Sequence, residues 1–158
     1  MAVSTIRKQS NNPYRDRGLV LYLASDKLIR PVKWDEACPC FYVAPEDPDA
    51  KNADQHLTKP NMAYVGSDNG CGCGFRREHD EMIDDPEQLA SKTDNQKRLH
   101  DYIASCLVDQ ESIELYSCWS GDETLPIEHD RRIQLLEIVS AEFSFSERQR
   151  TVVIANQE

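Results

Sequence analysis

Apolar residues along this chain gather in short runs, separated by polar segments rich in proline, glycine, asparagine and aspartate. Residues 19–24 are continuously apolar or aromatic, which is typical of a strand buried on both faces. Residues 112–119 instead alternate between apolar and polar, as a half-buried strand does. Residues 62–65, 143–146 and 151–155 give three further strand signals, and residues 40–44 a shorter one. Counting residues 40–44 only as a possible strand, we expect four to five short strands in one sheet.

One long helix is predicted between the strand signals at 62–65 and 112–119. A stripe of apolar residues recurs there at three- and four-residue spacing and consists of Leu99, Tyr102, Ile103, Cys106 and Leu107. Asp85 followed by Pro86 is a good helix start, and Thr93 offers a competing one. Residues 126–132 are predicted as a loop, whereas the pattern over 132–139 does not separate helix from strand.

These elements indicate an α+β or mixed α/β fold, with the long helix packed on the sheet. The sequence predicts a polar leader over residues 1–18 and a single domain over residues 19–158, a length that buries a sizeable core without disulfides or metal. Residues 45–60 are polar, carry three prolines and are interpreted as a surface excursion or lid.

Composition and charge limit which partners and which cellular location we expect for this protein. The formal net charge of −10 argues against general nucleic-acid binding, because phosphate contacts need clustered cations. The basic residues Arg7, Lys8, Arg15 and Arg17 are interpreted as a solvated arm. No stretch approaches the ~20 apolar residues of a membrane span, and the first 18 residues lack an apolar signal region. We expect a cytoplasmic protein without a membrane partner; its other partners are unknown.

The segment 66–77 is the predicted site. It follows the strand signal at 62–65, where open α/β sheets tend to bind ligands. Three glycines alternate with two cysteines over residues 70–74. Because glycine has no Cβ, this alternation suggests a backbone wrapped closely around a ligand or around another segment of the protein.

The six cysteines include two pairs with one intervening residue, Cys38 with Cys40 and Cys71 with Cys73. Together they supply the four sulfurs of a closed zinc site, or the ligands of an iron–sulfur cluster, although the usual zinc spacing has two to four intervening residues. A disulfide between Cys71 and Cys73 requires a turn at residue 72, since extended Cα atoms would lie roughly 6.5–7 Å apart. The alternatives are a redox dithiol and six ordinary reduced thiols.

An anion site is a further hypothesis for the same loop. Backbone N–H groups around Gly70, Gly72 and Gly74, backed by Arg76 and Arg77, would cradle a phosphate or carboxylate. The pattern is GxGxG and lacks the spacing of the dinucleotide fingerprint or the P-loop. His79 beyond it is interpreted as part of a solvated connector, and a Cys73–His79 nucleophile pair stays open.

Two resemblances bear on function. Residues 64–75, with Tyr-Val-Gly-Ser followed by Gly-Cys-Gly-Cys-Gly-Phe, resemble the signature of a group of small bacterial proteins without an assigned activity, and this implies no mechanism. Tyr22, Tyr64 and Arg76 or Arg77 resemble the GIY-YIG nucleases, which use two tyrosines, an arginine and a metal-binding glutamate. Here 41 residues separate the tyrosines, whereas that family has a short hairpin.

Three functional readings therefore stay open from the sequence. A thiol-based metal-binding or redox domain with zinc as the candidate ion leads. A non-catalytic structural or interaction protein is the alternative, followed by a metal-dependent nuclease of GIY-YIG type. Whether the protein is an enzyme is left open.

Overall fold

A computed structural model of this protein describes residues 18–37, 40–68, 72–76 and 86–157. These residues form one six-stranded sheet with one long helix packed on it. The strands are β1 (Leu19–Ser25), β2 (Tyr42–Ala44), β3 (Asn61–Gly66), β4 (Ser112–Trp119), β5 (His129–Gln134) and β6 (Gln149–Ile154). The long helix is α1 (Pro86–Cys106), and three 3₁₀ segments are η1 (Pro48–His56), η2 (Gly72–Phe75) and η3 (Leu135–Val139).

The first strand lies in the middle of the sheet, whose order is β2-β3-β1-β4-β6-β5. β1 pairs antiparallel with β3 on one side and with β4 on the other. β3 and β4 therefore run in the same direction with β1 between them, and α1 makes the connection across the sheet. β5 closes the far edge in parallel with β6.

Both faces of β1 are buried, which explains its unbroken apolar run. Leu19, Leu21 and Leu23 point to the face covered by α1, where they join a core with Leu99 and Ile103. The alternate residues of β1 point to the opposite face, which η1 covers. That second core consists of Val20, Tyr22, Ala24, Tyr42, Ala50, Ala53, Leu57, Tyr64, Tyr116 and Cys118.

The predicted α+β class, with one long helix on one sheet, is confirmed, but the described residues contain six strands and not four to five. The additional strand is β5, which begins in the segment predicted as a loop. Its side chains are mostly exposed and charged, as is common at a sheet edge, so the apolar alternation that marks a strand is lacking.

Residues 143–146, predicted as a strand, form no ladder in the structure. Phe143 and Phe145 nevertheless pack into the first core, with ring centroids 4.9 Å apart. The apolar alternation over residues 143–146 therefore reflects the burial of Phe143 and Phe145 and not the pairing of a strand. The helix begins at Pro86, as predicted, while residues 1–17 of the predicted leader lie outside the described residues. In the part of the chain that is described, no helix has the length and apolar character needed to cross a membrane.

A buried carboxylate ties the end of the η1 excursion to the sheet. Glu114 on β4 accepts hydrogen bonds from the Thr58 N–H at 2.8 Å, the Thr58 hydroxyl at 2.8 Å and the Lys59 N–H at 3.0 Å. Arg150 on β6 forms an ion pair with the same carboxylate. Burial by itself would raise the pKa of the Glu114 carboxyl, but the hydrogen bonds from Arg150 and Thr58 outweigh it. They hold the pKa of Glu114 below its ordinary value of 4.5.

We expect Glu114→Gln to lower the free energy of unfolding by about 1–3 kcal/mol at pH 7, because it removes a buried ion pair and weakens three hydrogen bonds. A carboxyl with a depressed pKa stabilises the folded state above its unfolded pKa and loses that contribution as the pH falls below it. The difference between the two proteins should therefore shrink in urea titrations below about pH 4.

The exposed Glu111, changed to Gln, is the matched control and should leave the unfolding midpoint nearly unchanged. A Glu114→Gln deficit that stays constant from pH 7 to pH 3 would contradict the assigned role of the charge.

Candidate functional site

One end of the sheet carries Cys40 and Cys73, the two described cysteines of the predicted site. β1 and β2 begin there and β3 and β4 end there, because β1 is antiparallel to both β3 and β4, and β2 is antiparallel to β3. Cys40 lies just before β2, and Ser67 just after β3. η2 packs across this end with Cys73 in its middle. We call this region the loop end of the sheet.

The thiol of Cys73 is held against the start of β1. Its Sγ accepts a hydrogen bond from the Leu19 N–H at 3.2 Å and lies 3.9 Å from the Leu19 carbonyl oxygen. Gly72 allows this approach, since a Cβ there would stand only 3.1 Å from the Leu19 oxygen and the Leu21 nitrogen. The close backbone wrapping predicted from the glycines is therefore found at residue 72, and it is around β1.

A polar network from α1 holds the rest of the loop. Asp68 accepts hydrogen bonds from the Ser91 hydroxyl at 2.7 Å and from Asn95 Nδ2 at 2.9 Å. Asn95 is buried and also donates to the Gly74 carbonyl oxygen at 3.3 Å, while the Gly74 N–H donates to Ser67 Oγ at 3.1 Å. These contacts satisfy both backbone polar groups of Gly74, where the chain crosses the end of the sheet.

Gly74→Ala should lower the free energy of unfolding by about 1–3 kcal/mol, because the added methyl group overpacks the network. A Cβ at this position would stand 2.5 Å from the Ser67 Cβ and 2.6 Å from Asn95 Nδ2. Chemical denaturation measures the effect, with Ala90→Ser on the exposed side of α1 as the control. Stability equal to the parent protein would show that the loop has room to yield.

The predicted thiol and anion residues are only partly described. Cys40 and Cys73 are both half-buried, while Cys38, Cys71, Gly70, Arg77 and His79 lie outside the described residues. The described ranges contain no cluster of three or more His, Cys, Asp or Glu side chains placed to hold a metal ion. The zinc and anion sites therefore stay predictions. The Gly74 N–H, one donor of the predicted cradle, is occupied by Ser67.

Arg76 lies over the ring of Trp119, with its guanidinium carbon 5.2 Å from the ring centroid. Trp119 ends β4 and, by alternation with Leu115, points to the α1 face of the sheet. Its side chain is 37% exposed, so an arginine–tryptophan pair borders the loop end at the surface.

Two other cysteines belong to the cores. Cys118 is fully buried in the second core, and burial, followed by the nearby Glu123 and Asp122, raises the pKa of its thiol. Cys106 is half-buried on α1, and burial likewise raises the pKa of its thiol. The four described cysteines form no disulfide with one another.

Alkylation of the metal-free native protein at pH 8, with a chelator present, should leave Cys118 unmodified while Cys40 and Cys73 react. Only the thiolate reacts, and access to a buried core residue requires opening of the structure, so we expect labelling of Cys118 to be about a hundredfold slower or more than in urea. Mass spectrometry of the digested protein gives the modified fraction at each cysteine. Equal rates for Cys118 in buffer and in urea would contradict its placement.

A row of tyrosines crosses the second face of the sheet. Tyr64 on β3 lies opposite Tyr22 on β1, which in turn lies opposite Tyr116 on β4. The Tyr22 hydroxyl donates to Glu123 Oε2 at 2.6 Å, and His56 of η1 stacks on Tyr116 with ring centroids 4.4 Å apart. All three tyrosines are fully buried.

The sequence analysis did not single out Glu123, which lies in the turn after β4. Its carboxylate oxygens accept hydrogen bonds from Tyr22 and from the Gly121 N–H, and its carbonyl oxygen accepts one from His56 Nε2 at 2.9 Å. A short polar turn carries no periodicity that predicts burial, so the signal was lacking in the local sequence.

The residues implied by the nuclease resemblance are divided between the two faces. Tyr22 and Tyr64 are directly opposite each other beneath η1, with ring centroids 5.9 Å apart. Arg76 stacks on Trp119 at the α1 face. A phosphodiester would have no access to either buried phenol in this arrangement, and the nuclease activity stays a prediction.

No protein-family model, curated protein or solved structure matches this chain.

Proposed function

We propose that this protein binds a metal ion, with zinc as the candidate, through the thiols of Cys38, Cys40, Cys71 and Cys73. The observation that supports the proposal is the pairing of β2 with β3. Tyr42 lies opposite Gly66, so the chain that enters β2 and the chain that leaves β3 meet at the loop end. One Cys-x-Cys pair belongs to each of these two segments.

A shared site would lie across the end of β3. Cys40 precedes β2, and the Cys73 sulfur contacts Leu19 at the start of β1, with only β3 between these strands. Two strand spacings amount to about 10 Å. Two sulfurs on one zinc ion, each with a bond of about 2.3 Å, lie at most about 4.6 Å apart. The chain before β2 would therefore have to carry the Cys40 thiol across the end of β3 toward Cys73.

The metal would act at the loop end without holding the fold together. Two hydrophobic cores already cover both faces of β1, and the Gly74 loop has its own network with α1. A folding role would be expected of a small domain with little core, as in zinc fingers. Four thiolates also close the coordination shell, which is typical of structural or regulatory sites.

Elemental analysis and thiol counting on protein purified without chelator or oxygen test the proposal. We expect about one zinc ion per chain and one readily titrated thiol in the native protein, that of Cys106. All six thiols should titrate after unfolding in the presence of a chelator. Cys40→Ser and Cys73→Ser should each lose most of the metal, because removing one thiolate opens a four-ligand site.

Cys106→Ser is the matched control, since this half-buried thiol lies on α1 away from the loop end, and it should keep the full metal content. Metal content near zero with six titratable thiols would overturn the proposal. A disulfide found in each Cys-x-Cys pair would replace it with the redox alternative.

A further inference from the structure

The second core contains a continuous chain of aromatic rings that runs from the surface to its centre. Trp34 contacts Tyr42 with ring centroids 5.1 Å apart, Tyr42 contacts Tyr64 at 5.7 Å, and Tyr64 contacts Tyr22 at 5.9 Å. Trp34 is half-buried, whereas Tyr22 and Tyr64 have no exposed surface. This series of aromatic rings therefore has one end accessible to solvent, at Trp34, and one end inside the protein, at Tyr22.

The inner end has a proton acceptor. The 2.6 Å distance from the Tyr22 hydroxyl to Glu123 Oε2 is that of a charge-assisted hydrogen bond to a carboxylate. The other oxygen, Oε1, accepts from the Gly121 N–H at 3.0 Å. Both oxygens thus act as acceptors, as an ionised carboxylate requires, and Glu123 is only 6% exposed.

A phenol loses an electron readily only when its proton has a base to go to, because the oxidised phenol is a very strong acid. Adjacent aromatic rings in contact pass electrons between them, since tunnelling falls steeply with distance. Tyr22 meets both conditions, because Glu123 accepts its hydrogen bond and the ring of Tyr64 is in contact with its own ring.

We propose that Tyr22 is a redox-active tyrosine that takes up oxidising equivalents from the surface through Trp34, Tyr42 and Tyr64. The oxidant is a one-electron acceptor of the oxidising-radical class, and it gains the electron at Trp34. One electron then moves outward from Tyr22 through the rings of Tyr64 and Tyr42 to Trp34. The Tyr22 phenol proton moves to Glu123 Oε2. The products are a neutral tyrosyl radical, a protonated Glu123 and the reduced oxidant, so electrons and protons balance.

Tyr102 and Tyr116 lack this combination. Tyr102 donates its hydroxyl proton to the Arg30 carbonyl oxygen at 2.6 Å, and a backbone carbonyl is too weak a base to accept a proton. The hydroxyl of Tyr116 is buried and has no hydrogen-bond partner among the described residues. Tyr116 thus resembles Tyr22 in burial and in its position on the same face, but has no carboxylate, and it serves as a matched control.

The test uses photo-oxidised tris(bipyridine)ruthenium(III) as the one-electron oxidant, followed by freeze-quenching and electron paramagnetic resonance. The parent protein should give a tyrosyl signal, identified by its narrowing when ring-deuterated tyrosine is incorporated. Tyr22→Phe should lose that signal, and Tyr116→Phe should keep it. Trp34→Phe should slow its formation, because the surface entry is removed.

Glu123→Gln keeps the size of the side chain and removes the base. We expect the radical to form about a hundredfold more slowly in this variant, the scale of a lost positioned proton acceptor. The neighbouring Asp122→Asn is the control and should behave as the parent. Circular dichroism verifies the folding of each variant. If Tyr22→Phe fails to fold, the comparison of Glu123→Gln with Asp122→Asn tests the proposal.

A tyrosyl signal of parental yield in Tyr22→Phe, or parental kinetics in Glu123→Gln, would overturn the proposal. Parental kinetics in Trp34→Phe would overturn the route. All cysteines are retained in these variants, so the outcome is independent of the metal proposal.

Discussion

The burial of both faces of β1 is the constraint from which the rest of the architecture follows. A strand with apolar side chains on both faces needs a cover on each, and the chain supplies α1 on one face and η1 on the other. These covers come from the connections on either side of β3, its immediate neighbour. The excursion at 45–60 is therefore part of the core, since Ala50, Ala53 and Leu57 are buried in it.

The glycines of the loop end show how a structural requirement can imitate a binding motif. Gly72 faces the backbone of β1 and Gly74 faces Ser67 and Asn95, so each fills a place where a Cβ would collide with protein. A phosphate-binding loop uses glycine for the same reason, close approach of a backbone, but toward a ligand. For Gly72 and Gly74 the close approach is to other parts of the chain. These two glycines therefore give no support to a bound ligand, and the proposed metal binding depends on the thiols of the loop.

Sequence pattern was reliable where burial on one or two faces dictated it. β1 and β4 were predicted almost to the residue, and α1 begins at Pro86, one of the two starts that the sequence offered, because burial and capping both leave local signals. β5 was missed since an edge strand with polar side chains carries no such pattern. Of the candidate site, the sequence identified Cys73, Tyr22 and Tyr64 but could not place Arg76 on the opposite face from the tyrosines, which depends on the sheet order.

The pairing of Tyr22 with Glu123 was beyond sequence reasoning for a related reason, because 101 positions separate the two residues. What makes this pairing unusual is the free energy needed to bury the Glu123 carboxylate. Removing a carboxylate from water costs several kcal/mol even after relaxation, and a phenylalanine and a neutral residue of similar volume would avoid that cost. Elsewhere in the fold the buried Glu114 is neutralised by Arg150, whereas the Glu123 carboxylate accepts hydrogen bonds from a phenol and a backbone N–H. A carboxylate kept inside a core with a phenol as its principal partner is poorly suited to stabilising the fold and well suited to receiving the phenol's proton.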